Sequence, residues 1–138
     1  MEVLSSIKLP AKIEHLHGVL NKIIESAKGF GIGGEKTGDI ELACEEILVN
    51  IINYAYAEHE GDIEVICKSD GERIFLIEIL DAGIPFNVLE SEAPDLDASL
   101  MDRKIGGLGI FFVKQLIDEI NYLRVDNNNV LTLTVYKI

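Results

Sequence analysis

The chain has 138 residues, a length typical of a single domain. It contains 12 Lys and Arg residues against 24 Asp and Glu residues, so its formal net charge is −12 at pH 7. Such a charge argues against a surface for nucleic acid or anionic lipid, because phosphate groups need clustered Lys and Arg. A nucleotide ligand stays compatible with it, because backbone N–H groups can hold phosphate.

Neither a secretory leader nor a membrane span is predicted. No basic segment is followed by an apolar one at the N-terminus, and no run approaches the roughly 18 apolar residues that a span needs. Cys44 and Cys67 lie far apart without a CxxC spacing, which indicates two reduced cysteines that act as small apolar residues. We therefore expect a cytoplasmic protein.

Two helices and three strands are predicted in the first part of the chain. Apolar spacings of three and four predict the helices, and apolar–polar alternation predicts the strands. An Asp-Gly turn between two alternating runs indicates a hairpin. In chain order these are a strand over 1–9, helices over 11–30 and 36–57, and strands over 62–69 and 72–80.

A long irregular segment, 81–105, separates these elements from the rest of the chain. It holds two prolines and several acidic residues, and loops of this length in a compact domain are usually functional and often lids. A helix over 110–118 follows, and then a hairpin of strands 120–125 and 130–137 around a turn at Asp126–Asn129. The order β-α-α-β-β-lid-α-β-β predicts an α+β layer rather than a doubly wound sheet.

The first glycine-rich segment resembles two phosphate-binding motifs without fulfilling either. Residues 29–34 match the glycine spacing of a dinucleotide fingerprint, and residues 29–37 nearly match a P-loop. Both motifs must follow a strand, whereas a predicted helix precedes this segment. It is therefore interpreted as a helix–helix linker, with Thr37, Gly38 or Asp39 capping the next helix.

Asp39, Glu46, Asn50 and Asn53 form a polar stripe along the second helix, opposite its apolar face. Glu46 and Asn50 are four residues apart, about 6 Å along the axis, so their oxygens can reach one small ligand. A carboxylate and a carboxamide are oxygen donors suited to Mg²⁺. The alternative interpretation of this stripe is an ordinary solvated helix face.

Asp81 ends an apolar strand, and Gly83 follows it two residues later. A carboxylate buried there without a partner is costly, so a buried donor such as the exocyclic amine of adenine suits it. Gly83 would let the base approach the backbone. The alternative is an ordinary Asp-x-Gly turn.

A second glycine-rich segment, Gly106-Gly107-Leu108-Gly109, opens the third predicted helix. The free N–H groups of a helix start, together with glycines, make a phosphate site. Arg103 and Lys104 lie just upstream, in position for a terminal phosphate. The alternative is a flexible hinge.

Three short motifs occur in the order and spacing of one family: Glu46-x-x-x-Asn50, Asp81-x-Gly83 and Gly107-x-Gly109. Together they resemble the Bergerat-type ATPases, and most closely the small anti-sigma factor serine/threonine kinases. The similarity extends from the first helix to the last strand. It implies an α+β two-layer sandwich with a mixed, mostly antiparallel sheet and three helices on one face. The chain would be a single ATP-binding domain over 1–138, with its lid over about 84–105.

The resemblance also implies residue roles. Glu46 would be the catalytic general base, Asn50 would bind Mg²⁺ between the phosphates, and Asp81 would accept the adenine amine. The other implied nucleotide-binding residues are Asn53, Gly83, Arg103, Lys104, Gly107, Leu108 and Gly109.

The implied function is that of an ATP- and Mg²⁺-dependent kinase. It would phosphorylate a small anti-sigma antagonist protein and sequester a sigma factor, and the resemblance allows a homodimer through the N-terminal strand and helix. Tyr54 stands where relatives often have His, and Ile84-Pro85 replaces a second glycine. Two alternatives are a nucleotide-gated protein-binding module without phosphotransfer and a detached histidine-kinase-type ATPase domain.

Overall fold

A five-stranded sheet forms one layer of the computed structural model, which describes residues 1–90 and 109–137. Its spatial order is β1-β2-β3-β5-β4, and each neighbouring pair is antiparallel, in agreement with the mostly antiparallel sheet expected. The strands are β1 (Glu2–Pro10), β2 (Asp62–Ser69), β3 (Ile74–Asp81), β4 (Glu119–Val125) and β5 (Asn128–Tyr136).

Three helices accompany the sheet: α1 (Leu16–Phe30), α2 (Gly34–Asn50) and α3 (Gly109–Leu116). α1 begins five residues later than predicted, because Lys12 is extended at φ −132° and ψ 145° and a short 3₁₀ turn follows it. Among the described helices, none has the length and apolar character needed to cross a bilayer.

The α2 helix ends in a wider turn. Residues Ile51–Ala55 form a π-helical turn, in which the Tyr56 N–H donates to the Ile51 carbonyl at 3.2 Å. A turn of this kind carries one residue more than an α-helical turn and occurs often at functional sites. The sequence predicts an uninterrupted helix to residue 57, and the extra residue is invisible in its apolar spacing.

The core lies between the helices and one face of the sheet. Strands β2, β3 and β5 each bury every second residue, and the cross-strand register aligns these residues on that face. Cys44 and Cys67 are both buried in the core with free thiols, as predicted. At one end of the same face, two of the buried positions are polar. They are Asp81 and Asn129, which pair with each other across β3 and β5.

The segment between α1 and α2 is a helix–helix linker, as the sequence indicates. α1 ends at Phe30, and Gly31 takes the left-handed conformation at φ +103° that glycine tolerates. The expected capping by Thr37, Gly38 or Asp39 is wrong, because α2 already begins at Gly34. Thr37 lies in its first turn, and the hydroxyl donates to the Gly34 carbonyl at 2.8 Å.

The last hairpin is tighter than predicted. Its turn contains only Asp126 and Asn127, at φ 48° and 68°, and Val125 pairs with Asn128 across it. Two consecutive positive φ angles are typical of a type I′ turn, which Asn and Asp tolerate. The expected four-residue turn is therefore wrong, and Asn129 belongs to β5 rather than to a loop.

The loop that follows β3 is fastened to the end of α2. The Ile84 N–H donates to the Ala55 carbonyl at 3.0 Å, and the Ala82 N–H donates to the Tyr56 hydroxyl at 2.7 Å. A Cβ atom on Gly83 would lie 2.4 Å from the Ala55 oxygen, so only glycine allows this approach. The loop thus has a fixed position relative to the helix end.

Gly83→Ala should destabilise the fold, because the methyl group would collide with backbone rather than with a flexible side chain. Overpacking of this kind costs roughly 1–3 kcal/mol, so we expect the free energy of unfolding to fall by about 2 kcal/mol in urea titrations followed by circular dichroism. Gly38→Ala in α2 is the control, because nothing lies within 4 Å of its Cβ position. It should raise stability by up to about 1 kcal/mol. Equal stability of the two variants would contradict this account.

Candidate functional site

A carboxylate oxygen that has no hydrogen-bond partner among the described residues lies where α3 meets α2. Glu46 Oε1 is buried, and within the described residues it has no hydrogen-bond partner. Burial raises the pKa of Glu46; hydrogen bonding to the Asn50 side chain opposes this rise, and the charge of Glu45 adds to it. A buried oxygen that accepts nothing is available to a proton, a water molecule or a ligand.

Gly109, the first residue of α3, makes this arrangement possible. A Cβ atom at Gly109 would lie 1.8 Å from Cγ and 1.9 Å from Cδ of Glu46. Any larger residue would therefore displace the carboxyl group. Gly109 of the second glycine motif is therefore in direct contact with Glu46.

Asn50 lies beside Glu46 as the last residue of α2 and is 6% exposed. The solvated-face interpretation therefore fails at Asn50. Asn53 belongs to the π-helical turn and is exposed, while Asp39 is half-buried near the start of α2. Of the predicted stripe, the structure brings Glu46 and Asn50 together and leaves Asn53 on the surface.

The donors at this point fit Mg²⁺. Glu46 offers a buried oxygen that no described residue hydrogen-bonds, and Asn50 offers a carboxamide; both are oxygen donors of the hard kind that Mg²⁺ prefers. Over 1–90 and 109–137, no group of three or more His, Cys, Asp or Glu side chains is placed to hold a metal ion. A Mg²⁺ ion here would thus take most of its ligands from phosphate oxygens and water.

A second carboxylate, Asp81, is 4% exposed at the end of β3. Its Oδ1 accepts hydrogen bonds from the Gly83 N–H at 2.9 Å and from Asn129 Nδ2 at 2.8 Å. Its Oδ2 receives no hydrogen bond from the described residues. Burial raises the pKa of Asp81, and this rise is opposed by Asn129, by the Gly83 N–H and by the charge of Arg124.

Asn129 organises this end of the site, and sequence reasoning misses it because the residue is predicted to lie in a turn. Its Nδ2 donates to Asp81 and, at 2.8 Å, to the Ile84 carbonyl. Its Oδ1 accepts from three donors, namely the Phe86 N–H at 3.2 Å, Arg124 Nη1 at 3.2 Å and the Tyr122 hydroxyl. All the hydrogen-bonding capacity of the amide is therefore used.

Aromatic contact fixes the start of the predicted lid. The rings of Tyr54 and Phe86 stack with centroids 5.5 Å apart at an angle of 23°. Further along, Lys114 Nζ of α3 donates to the Leu89 carbonyl at 3.1 Å, and Val88 is buried. The segment 84–90 is therefore held by the π-helical turn after α2 and by α3.

The predicted site residues thus form two neighbouring groups. Glu46, Asn50 and Gly109 meet between α2 and α3, and Asp81 and Gly83 meet at the end of β3. The Ala55–Ile84 hydrogen bond connects the two groups. The remaining predicted residues, Arg103, Lys104, Gly107 and Leu108, lie outside the described residues, as does the predicted lid beyond Glu90.

The raised pKa of Asp81 gives a pH-dependent stability difference. Above this pKa the folded protein bears a buried charge that the unfolded chain hydrates freely, and the cost disappears as pH falls through it. Asp81→Asn keeps an oxygen for Gly83 and Asn129 but carries no charge. We expect it to be at least as stable as the wild type at pH 7.5, with an advantage that shrinks in urea titrations as the pH falls through the raised pKa of Asp81. An advantage that grows on acidification would refute the assignment.

Comparison with known proteins gives matches over nearly the whole chain. Residues 9–135 match the histidine kinase-like ATPase domain family. Relatives named serine-protein kinase RsbW, from Bacillus mycoides strain KBAB4 and Bacillus cereus strain Q1, are each 26% identical over 129 residues. Each alignment covers 91% of this chain and 80% of the relative.

A solved structure shows the same fold. The structure of the RsbU and RsbW domains of Rv1364c from Mycobacterium tuberculosis superposes with a TM-score of 0.64 and 18% identity. The superposition covers 95% of this chain and 32% of that longer chain. The family match spans nearly all of this chain, which confirms the resemblance seen in its three motifs. The chain belongs to the histidine kinase-like ATPase domain family.

Proposed function

We propose that this protein is an ATP-dependent serine/threonine protein kinase of the anti-sigma type. The observation that carries the proposal is the buried Glu46 Oε1, which has no partner among the described residues and lies beside Asn50. An ATP-binding module without chemistry has no need of such an oxygen, which is costly to bury. The names of the Bacillus relatives as serine-protein kinases support the same activity.

Asp81 supports the choice of adenine as the base. Its Oδ1 is engaged by Gly83 and Asn129, whereas its Oδ2 receives nothing from the described residues. An ionised carboxylate is an acceptor only, so Oδ2 suits an exocyclic amine and rejects a carbonyl oxygen. Sites of this kind discriminate strongly, because the wrong base leaves a buried group without a partner.

Glu46 would act as the general base of phosphate transfer. It takes the proton of the substrate serine or threonine hydroxyl, whose oxygen forms a bond to the γ-phosphorus while the bond to the ADP oxygen breaks. Its raised pKa brings it closer to the operating pH, which favours this role. Asn50 would hold Mg²⁺, which supplies charge neutralisation between the phosphates.

The remaining roles rest on the motifs. Gly107, Leu108 and Gly109 would hold phosphate at the start of α3, with Arg103 or Lys104 at the terminal phosphate and Asn53 at the margin of the nucleotide site. The protein substrate would be a small anti-sigma antagonist, and a sigma factor would be bound in its absence. These partners, and a homodimer through β1 and α1, are proposed on the likeness to the RsbW relatives.

Nucleotide binding is the first test. Titration calorimetry should show tight, Mg²⁺-dependent binding of ATP to the wild type. Asp81→Asn should lose at least about tenfold in affinity, since a donor replaces the acceptor that the adenine amine requires. The control is Asp118→Asn, whose carboxylate lies beside Lys36 at 3.3 Å, away from Asp81. Undiminished binding by Asp81→Asn would exclude the proposed base contact.

The variant Gly109→Ala tests whether Glu46 is the general base. The added methyl would overlap Glu46 Cγ and Cδ, so the carboxyl group must move. We expect phosphate transfer to an antagonist-type protein of the same genome to fall about a hundredfold, towards the level of Glu46→Gln, as for the loss of a general base. Gly18→Ala in α1, where nothing lies within 4 Å of the Cβ position, should transfer phosphate normally. Normal transfer by Gly109→Ala or Glu46→Gln would leave Glu46 without a catalytic role.

A further inference from the structure

We propose that Arg124 is a positioning residue for base recognition: it holds Asn129 and the Gly83 carbonyl so that Asp81 presents one oxygen to an exocyclic amine. The inference deepens the proposed function and depends on it. Arg124 lies outside the three sequence motifs. Its hydrogen bonds go to the Gly83 carbonyl and to Asn129 rather than to Asp81. Its effect passes through the two groups that it binds.

The register of three strands aligns the residues concerned. Arg124 on β4 pairs with Asn129 on β5, and Asn129 pairs with Asp81 on β3. All three therefore lie on the same face of the sheet, at one end. Arg124 Nη1 donates to the Gly83 carbonyl at 2.9 Å and to Asn129 Oδ1 at 3.2 Å. One guanidinium nitrogen thus connects the last hairpin to the loop that follows β3.

These contacts determine which way the Asn129 amide points. Arg124, Tyr122 and the Phe86 N–H all donate towards Oδ1, so a rotated amide would turn its own NH₂ group against three donors. The observed orientation directs Nδ2 at Asp81 Oδ1 and at the Ile84 carbonyl. As a result Asp81 Oδ1 is occupied, and Oδ2 is the oxygen that remains for a base.

The charge of Arg124 also favours Asp81 as a hydrogen-bond acceptor. Among the residues that the structure describes, the groups that face Asp81 are Arg124 from β4, Asn129 from β5, the Gly83 N–H from its own loop and the Tyr56 hydroxyl after α2. Of these, only Arg124 is a cation, and its charge lowers the pKa of Asp81 against the effect of burial. A protonated Asp81 would be able to donate and would no longer be a pure acceptor. Arg124 therefore keeps the carboxylate in the form that an amine requires.

The test compares Arg124→Gln with Arg73→Gln. Both remove one positive charge, but Arg73 is exposed and stacks over the Tyr136 ring at 5.9 Å, at the opposite end of β3. Proteins that comprise residues 1–138 are titrated with Mg-ATP and Mg-GTP by calorimetry between pH 5.5 and 8.5. Thermal unfolding establishes that each variant is folded.

Arg124→Gln should bind ATP about tenfold more weakly at pH 7.5, the effect of about one charge-assisted hydrogen bond. The ratio of its affinity for ATP to its affinity for GTP should fall. The midpoint at which acid abolishes ATP binding should move to higher pH. Arg124→Lys should return that midpoint towards the wild-type value, because it restores the charge. Arg73→Gln should match the wild type in all three quantities.

Three outcomes would overturn the inference. The first is a folded Arg124→Gln that matches Arg73→Gln in affinity, base preference and midpoint. The second is a loss of affinity with both preference and midpoint unchanged, which is the result of a purely structural role. The third outcome applies if Arg124→Gln does not fold. In that case the inference is overturned if the midpoint at which acid abolishes ATP binding differs between Arg124→Lys and the wild type. A wild type that binds no nucleotide would instead refute the proposed function itself.

Discussion

The pairing of Asp81 with Asn129 across neighbouring strands is the constraint on which the rest of the site depends. A buried carboxylate is costly without partners, and here the antiparallel register of β3 and β5 supplies one directly opposite. The same amide then binds the loop after β3 and the end of β4. A single register position therefore determines the geometry of a strand end, a loop and a hairpin at once.

The helical half of the site depends on a close approach instead of a hydrogen bond. Gly109 allows the start of α3 to pack directly against Glu46. At the other end of this pair of segments, Lys36 Nζ and Asp118 Oδ2 lie 3.3 Å apart. These two contacts lie at opposite ends of the pair, so α2 and the segment that begins with α3 run antiparallel. The carboxyl group is thus enclosed by packing and keeps one oxygen without a partner among the described residues. The two carboxylates are thus held in different ways: hydrogen bonds to one oxygen fix Asp81, and close packing encloses Glu46.

Much of the fold and part of the site could be predicted from local pattern. Alternation identified the strands, and the four-residue spacing of Glu46 and Asn50 placed both on one helix face. Asn129, Tyr122 and Arg124 were missed for a physical reason: their position depends on whether the last turn has two residues or four. That choice depends on the positive φ angles of Asp126 and Asn127, which three consecutive asparagines do not reveal. The π-helical turn was missed because one added residue leaves the apolar pattern nearly unchanged.

That extra residue makes the end of α2 sensitive to length more than to composition. Asn53 and Tyr54 are exposed, so many side chains could replace them without disturbing the core. Deleting one residue from 51–55, however, would restore α-helical winding and rotate the rest of the turn by about 100°. The Ala55 carbonyl would then turn away from Ile84, and the loop that bears Gly83 would lose its attachment. Evolutionary change in this segment should consequently proceed by substitution, with insertions and deletions confined to other parts of the chain.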